Sequence, residues 1–76
     1  MKSRESCIVI TTTDSEDIAN KIANKLVVQR LAACVQVDKV KSFFYYEDEC
    51  RQEKEFRLII KAASKNYKII EYISYK

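Results

Sequence analysis

The sequence of 76 residues contains no glycine, no proline, no histidine and no tryptophan. The lack of glycine excludes Gly-rich phosphate-binding loops of the Walker and dinucleotide-binding kinds. The lack of histidine excludes a conventional catalytic triad, a His-ligated zinc site and an imidazole base. Since no nucleophile stands beside a visible base elsewhere in the chain, the sequence predicts a protein that is not an enzyme.

The chain has three cysteines, Cys7, Cys34 and Cys50, an odd number that are far apart in the sequence. We expect neither a disulfide framework nor a Cys-x-x-Cys motif, and the pattern indicates a reducing compartment. The first six residues lack the apolar stretch of a signal peptide, and no apolar run approaches the roughly 18 residues of a membrane span. The sequence therefore predicts a cytoplasmic protein that does not associate with membranes.

The formal net charge is +3, and 33% charged with 47% hydrophobic residues is typical of a folded globular domain. This mild charge lacks the dense basic footprint of nucleic-acid-binding proteins, so we expect no nucleic-acid partner. A single domain of this length removes only about 60% of its unfolded surface from water, and such domains often gain stability by oligomerising.

The hydrophobic pattern predicts five elements in the order β-α-β-β-α. β-Branched residues from Ser6 to Thr13 favour a buried strand, and Ile18, Ile22 and Leu26 recur every four residues along a helix. Alternating apolar and polar residues favour two further strands before a second helix. The predicted bounds are residues 6–13, residues 14–30, residues 31–46 with a bulge at Asp38-Lys39, a third strand ending near Lys61, and a helix capped by Ser64.

This order is five-sixths of the β-α-β-β-α-β ferredoxin-like unit. We therefore predict an α+β fold with an antiparallel sheet that lacks the last strand and with the helices on one face. Thr13, Asp14 and Ser15 are all plausible N-caps of the first helix. The turn between the second and third strands is predicted at residues 47–49, because Asp48 tolerates left-handed geometry.

Four consecutive aromatic residues, Phe43 to Tyr46, end the second predicted strand. Exposed on a monomer, they would be an aggregation site, so a subunit interface is the favoured interpretation. A position in the core and a stacking platform for single-stranded nucleic acid are the alternatives. The second alternative lacks a basic stripe and a glycine-containing recognition strand.

Several segments together are distinctive, and they follow one another at characteristic spacing. They are Thr11 to Asp14 ahead of an Ile-Ala-x-x-Ile-Ala-x-x-Leu helix, Arg30-Leu-Ala-Ala-Cys-Val35, Ser42 before the aromatic residues, and Glu53-Lys-Glu-Phe-Arg-Leu-Ile-Ile-Lys61. This set resembles the CutA family of divalent-cation tolerance proteins over residues 7–76. The resemblance implies a homotrimer whose sheets face inward, with long hairpins that extend the neighbouring sheet, and a role in tolerance of copper and other divalent metal ions.

The resemblance also implies ligands for copper or another divalent cation. The family positions are a cysteine ending the first strand, a glutamate entering the third and a histidine after the second helix. In this sequence, Thr11 stands at the first position, Glu55 at the second and no residue at the third, so we expect weak copper affinity. Cys34, within the family motif, is a further candidate metal ligand, although a small buried side chain is the favoured interpretation. Cys50 is expected to be the most exposed cysteine.

Carboxylates cluster around the predicted hairpin, where a solvated turn is the favoured interpretation and a weak divalent-cation patch the alternative. They are Glu47, Asp48, Glu49, Glu53 and Glu55.

The resemblance implies one CutA-like domain over residues 1–76 that is incomplete at its C-terminus. The family's His-Pro-Tyr-Glu segment and final strand are not in the sequence. The alternative function is a regulatory small-molecule-binding module of the PII or ACT kind, which shares the ferredoxin-like plan and assembles through its sheets.

Overall fold

The computed structural model describes residues 5–74, which form three strands and two α-helices in the predicted order. The short N-terminal stretch on which the absence of a signal peptide was predicted lies mostly outside these residues. The elements are β1 (Ser6–Thr13), α1 (Glu16–Val28), β2 (Cys34–Tyr46), β3 (Glu49–Ala63), a 3-10 turn (Ser64–Asn66) and α2 (Tyr67–Ser74).

The three strands form one antiparallel sheet in the order β1-β3-β2. Val9 pairs with Ile60, which pairs in turn with Val35, so one row of apolar side chains crosses the whole sheet. Both helices pack on this face, as predicted, and the core lies between the helices and β3. The buried core residues are Ala19, Ile22, Leu26, Ala32, Leu58, Ile60, Ala62 and Ile70.

Helix α1 is capped by Ser15, one of the three predicted caps, whose Oγ accepts a hydrogen bond from the Ile18 amide at 3.2 Å. This bond satisfies one of the donors left free in the first helical turn. The predicted apolar stripe is only partly correct, because Ile22 and Leu26 are buried while Ile18 and Val27 are exposed. The face of α1 that is buried against the sheet is therefore narrower than the apolar stripe predicted from the sequence.

Helix α1 ends two residues before the predicted Arg30, in a Schellman motif. The amide of Arg30 donates to Val27 O at 3.0 Å, and that of Leu31 donates to Leu26 O at 2.9 Å. Arg30 itself has φ 61°, a left-handed conformation that glycine usually supplies. The second strand consequently starts at Cys34 rather than at Leu31.

The predicted bulge at Asp38-Lys39 is wrong, because β2 runs without interruption from Cys34 to Tyr46. Asp38 pairs with Arg57 across the ladder, and Lys39 pairs with Phe56. Two charged residues fit inside this strand because the Arg57 guanidinium neutralises Asp38 and the ammonium group of Lys39 lies 5.9 Å from the centre of the Phe56 ring.

The hairpin between β2 and β3 has a two-residue loop of Glu47 and Asp48, since Tyr46 already pairs with Glu49. Both loop residues have positive φ, 53° and 63°, as a type I′ turn requires. At the other end of β3, Ser64 does not cap a helix as predicted. It lies inside the 3-10 turn, which starts after Ala63 without a side-chain cap, and the α-helix follows at Tyr67.

Candidate functional site

Within residues 5–74, one face of the sheet carries no helix, and we call it the open face. Successive side chains of a strand alternate between faces, so the strand residues adjacent in sequence to the core residues lie on this face. Ile8 and Ile10 of β1 lie on it and remain 61% and 60% exposed. The open face consists of Ile8, Ile10 and Thr12 on β1, Glu53, Glu55, Arg57, Ile59 and Lys61 on β3, and Cys34, Gln36, Asp38, Val40 and Ser42 on β2.

The polar groups in the middle of the open face are paired within the chain. Arg57 donates from Nε to Asp38 Oδ1 at 3.1 Å and from Nη2 to Asp38 Oδ2 at 2.7 Å. These hydrogen bonds lower the pKa of Asp38 and raise that of Arg57. Nearby, the Ser42 hydroxyl donates to Glu55 Oε1 at 2.9 Å. The apolar part of this face is therefore interrupted by charges that already have partners.

Beyond the helices, β2 and β3 continue as a bare hairpin, residues 43–52, which we call the arm. It contributes to the elongated outline of the molecule, 49 × 24 × 19 Å. The aromatic side chains of Phe43 to Tyr46 are between 39% and 75% exposed, so the core interpretation is wrong for this chain. The Arg51 guanidinium lies 5.1 Å from the centre of the Tyr46 ring and covers part of that ring.

The structure corrects the interpretation of Cys34 as a small buried residue, because its side chain is exposed at the start of β2. The alternation of the strand explains the difference. Cys34 lies opposite Lys61 on the open face, whereas Val35 points toward the helices. Cys50 is exposed as predicted, and the thiol of Cys7 lies 3.9 Å from Ala63 O.

The two candidate metal ligands, Cys34 and Glu55, share the open face but not one site. Cys34 is level with Lys61, which is six residues along β3 from Glu55. At about 3.3 Å per residue, the two positions are roughly 20 Å apart, too far for one ion to bind both. Within residues 5–74, no group of three His, Cys, Asp or Glu side chains is arranged to hold a metal ion.

Thr11, at the family's cysteine position, lies on the helix-covered face near the end of β1. It lines a cavity of about 450 Å³ at the start of α1, and hydroxyl groups rather than thiols dominate this wall. Hydroxyl groups are poor ligands for a soft or borderline metal ion. The other lining residues are Thr12, Thr13, Asp14, Ile18, Ile22 and Ser74.

The helices of the described region are too short or too polar to span a membrane. The exposed apolar side chains of the described residues include those of the open face and those of the arm. Sequence reasoning identified the aromatic residues but missed the open face, because Ile8 and Ile10 in a β-branched run are equally typical of a strand buried on both sides.

Comparison with known proteins gives a consistent result. Residues 7–75 match the family model described as CutA1 divalent ion tolerance protein. A divalent-cation tolerance protein CutA of Archaeoglobus fulgidus is 36% identical over 59 residues, which cover 78% of this chain and 58% of the relative. The Thermus thermophilus protein of the same name is 36% identical over 58 residues, which cover 75% of this chain and 56% of the relative. The chain thus spans less than two thirds of the length of these relatives.

Solved structures of similar proteins share the fold. The crystal structure of CutA1 from the psychrotrophic bacterium Shewanella sp. SIB1 superposes with a TM-score of 0.82 at 36% identity, covering 91% of this chain and 65% of that one. The structure from Archaeoglobus fulgidus, described as a periplasmic divalent cation tolerance protein, gives a TM-score of 0.79 at 31% identity, covering 90% and 67%.

Proposed function

Because this chain belongs to the CutA1 divalent ion tolerance family, we propose that it acts, without catalytic activity, in the response to divalent metal ions such as copper. The observation that carries this proposal is the family match over residues 7–75, nearly the whole chain. The same match favours this role over a PII-like or ACT-like module that binds a regulatory small molecule. The cytoplasm is the compartment we propose, since three unpaired cysteines fit a reducing environment.

We propose further that the working form is a homotrimer. Two surfaces support this proposal: the open face with its exposed isoleucines, and the arm with its exposed aromatic side chains. A chain of this size needs to bury apolar surface for stability, and it does not do so while both surfaces remain in water. Association of three copies through these surfaces would cover both.

The chain offers few suitable ligands for a metal ion. Glu55 is engaged by Ser42, Cys34 lies some six residues away along the sheet, and Thr11 supplies a hydroxyl. Copper binds most tightly to thiolate and imidazole groups held close together. We therefore propose that copper or another divalent cation binds weakly at Cys34 or Glu55, and that tolerance does not depend on a tight site within one chain.

A growth assay tests the role. A bacterial strain that lacks its own family member is grown in rising copper with and without this chain, and the proposed role predicts that expression restores growth. Ile10→Lys, which places a charge on the open face, should remove the benefit, while Lys21→Glu on the solvent side of α1 should retain it. Failure of the folded, expressed chain to restore growth would contradict the proposal.

A further inference from the structure

The outer edge of β1 is free for hydrogen bonding, because β1 lies at one side of the sheet and no strand within residues 5–74 pairs with that edge. On the inner side, Glu5 O accepts a hydrogen bond from Ser64 N, next to the end of β3. Since bonded and non-bonded residue pairs alternate along an antiparallel ladder, the backbone N–H and C=O groups of every second β1 residue point away from β3. These residues are Ser6, Ile8, Ile10 and Thr12.

The sequence of β1 does not protect this edge from a further strand. Edge strands of stable monomers are usually protected by charged side chains, proline, a bulge or short length. β1 has eight residues, which pair without a bulge, and none of them is charged or proline. The outer edge of β2 differs, because Asp38, Lys39 and Lys41 lie within that strand. Of the two edges of the sheet, β1 is therefore the one suited to accept a strand.

A strand added beside β1 would have apolar neighbours on both of its faces. On the open face, Ile8 and Ile10 are exposed. On the helix side, Ile18 is 46% exposed and lines the cavity that borders the end of β1. A strand between two apolar surfaces carries apolar side chains on both faces rather than on one. The matching partner is thus an extended, uncharged segment that is apolar on both sides.

The arm contains such a segment. Phe43 to Tyr46 is extended and uncharged, and its side chains are exposed on both faces of β2. Because β2 lies at the other side of the sheet, the outer edge of this segment also has no strand partner within the described residues. In the three strands of the structure, no other run of four residues is both uncharged and exposed throughout. A second copy of the chain therefore offers the strand that β1 lacks.

We propose that the outer edge of β1 accepts the segment Phe43 to Tyr46 from the arm of a second copy, as a fourth strand of the sheet. This inference rests on the proposed homotrimer and adds to it the edge and the segment that meet. Donor and acceptor are different parts of the chain, so each copy can donate its arm to one neighbour and accept an arm from another. Contacts of this head-to-tail kind can close into a ring of three, whereas β1 paired with β1 would give a dimer.

Amide hydrogen exchange of the wild-type protein, followed by NMR, tests the proposal residue by residue. In the assembly, the amides of Ile8 and Ile10 should exchange at least about tenfold more slowly than in the dissociated chain, because the added strand accepts their hydrogen bonds. The amide of Val9 faces β3 and should be protected in both states. Exchange of the Ile8 and Ile10 amides at the same rate in both states would overturn the proposal.

Proline at an outward-pointing position separates the role of the backbone from that of the side chain. Ile10→Pro and Ile10→Ala both remove the isoleucine side chain, but only proline removes the outward N–H. Proline is tolerated on a free strand edge, so far-UV circular dichroism of the dissociated variants should match that of the wild type. Sedimentation over a dilution series should show association about tenfold weaker for Ile10→Pro than for Ile10→Ala. Equal weakening would contradict the proposal, and amide exchange of the wild type decides if the proline variant does not fold.

Cross-linking identifies the occupant of the edge. With the three native cysteines replaced by serine, a chain carrying Ile10→Cys is mixed with a chain carrying Phe44→Cys and treated with a short bismaleimide. The proposal predicts products that join the two different chains. Products that instead join two Ile10→Cys chains would mean that β1 pairs with β1, and they would overturn the arm as the occupant.

The outcomes also distinguish this inference from the proposed homotrimer. A wild-type chain that stays monomeric overturns both. A wild-type trimer in which the amides of Ile8 and Ile10 remain unprotected overturns the added strand and leaves the trimer standing.

Discussion

At the scale of single residues, the absence of glycine leaves left-handed positions filled by residues that do not favour them. Arg30, Glu47 and Asp48 all have positive φ. The first closes the Schellman motif after α1, and the other two form the hairpin loop. The sequence signals that normally mark both places, Gly after a helix and Asn-Gly in a turn, are missing, so the end of α1 was predicted two residues late.

Replacing Arg30 by glycine should therefore stabilise the protein. A left-handed non-glycine residue costs about 1–2 kcal/mol, part of which the greater freedom of glycine in the unfolded chain offsets, so we expect a net gain of about 1 kcal/mol. For a chain of this length, that gain corresponds to a rise of roughly 4–8 °C in melting temperature. Thermal unfolding at one fixed protein concentration measures it, and Gln29→Gly, at negative φ, is the control that should not stabilise.

Copper binding is also decided at single residues. Because Cys34 and Glu55 are separated along the open face, each can offer only one or two ligand atoms. We expect calorimetric titration to show weak copper binding. Cys34→Ser or Glu55→Gln should weaken this binding further, whereas the control Cys50→Ser should leave it unchanged. Tight binding of one copper ion per chain, retained in both the Cys34 and Glu55 variants, would show that the ligands have been misidentified.

At the scale of elements, the periodicity of the sequence predicted most of the fold. The strand from Ser6 to Thr13 and the two-sided alternation around Leu58 and Ile60 are confirmed. What failed were features that depend on partners across the sheet. A bulge was predicted at Asp38-Lys39, but the groups opposite these two charged residues accommodate both within a continuous β2.

The two faces of the sheet should respond differently to the same change. Ile60 is fully buried under the helices, and Ile8 is 61% exposed on the open face. Ile60→Ala should cost about 2–5 kcal/mol and leave the chain largely unfolded, since small domains have little stability to spare. Ile8→Ala should leave the fold intact but weaken self-association.

Urea unfolding followed by circular dichroism measures the first effect, and sedimentation measures the second. Comparable losses of folding stability for the two variants would mean that the open face is not the exposed surface described above.

At the scale of the whole molecule, acid should loosen the proposed homotrimer. The hydrogen bonds from Arg57 hold the pKa of Asp38 below its ordinary value of 3.8, so the stabilisation they give is present above that value and is lost as the pH falls through the lowered pKa. Sedimentation between about pH 5 and pH 3 should show weaker association, with a smaller change for Asp38→Asn, which cannot titrate at this position.

The most direct test of the account is the mass of the protein in solution. On a single chain of 8.9 kDa, the open face and the arm leave large apolar side chains exposed to water, and the proposed homotrimer would cover them. Sedimentation equilibrium at micromolar concentration should therefore give about three times that mass, the value for a closed ring of three copies. A stable 8.9 kDa monomer under the same conditions would contradict the account.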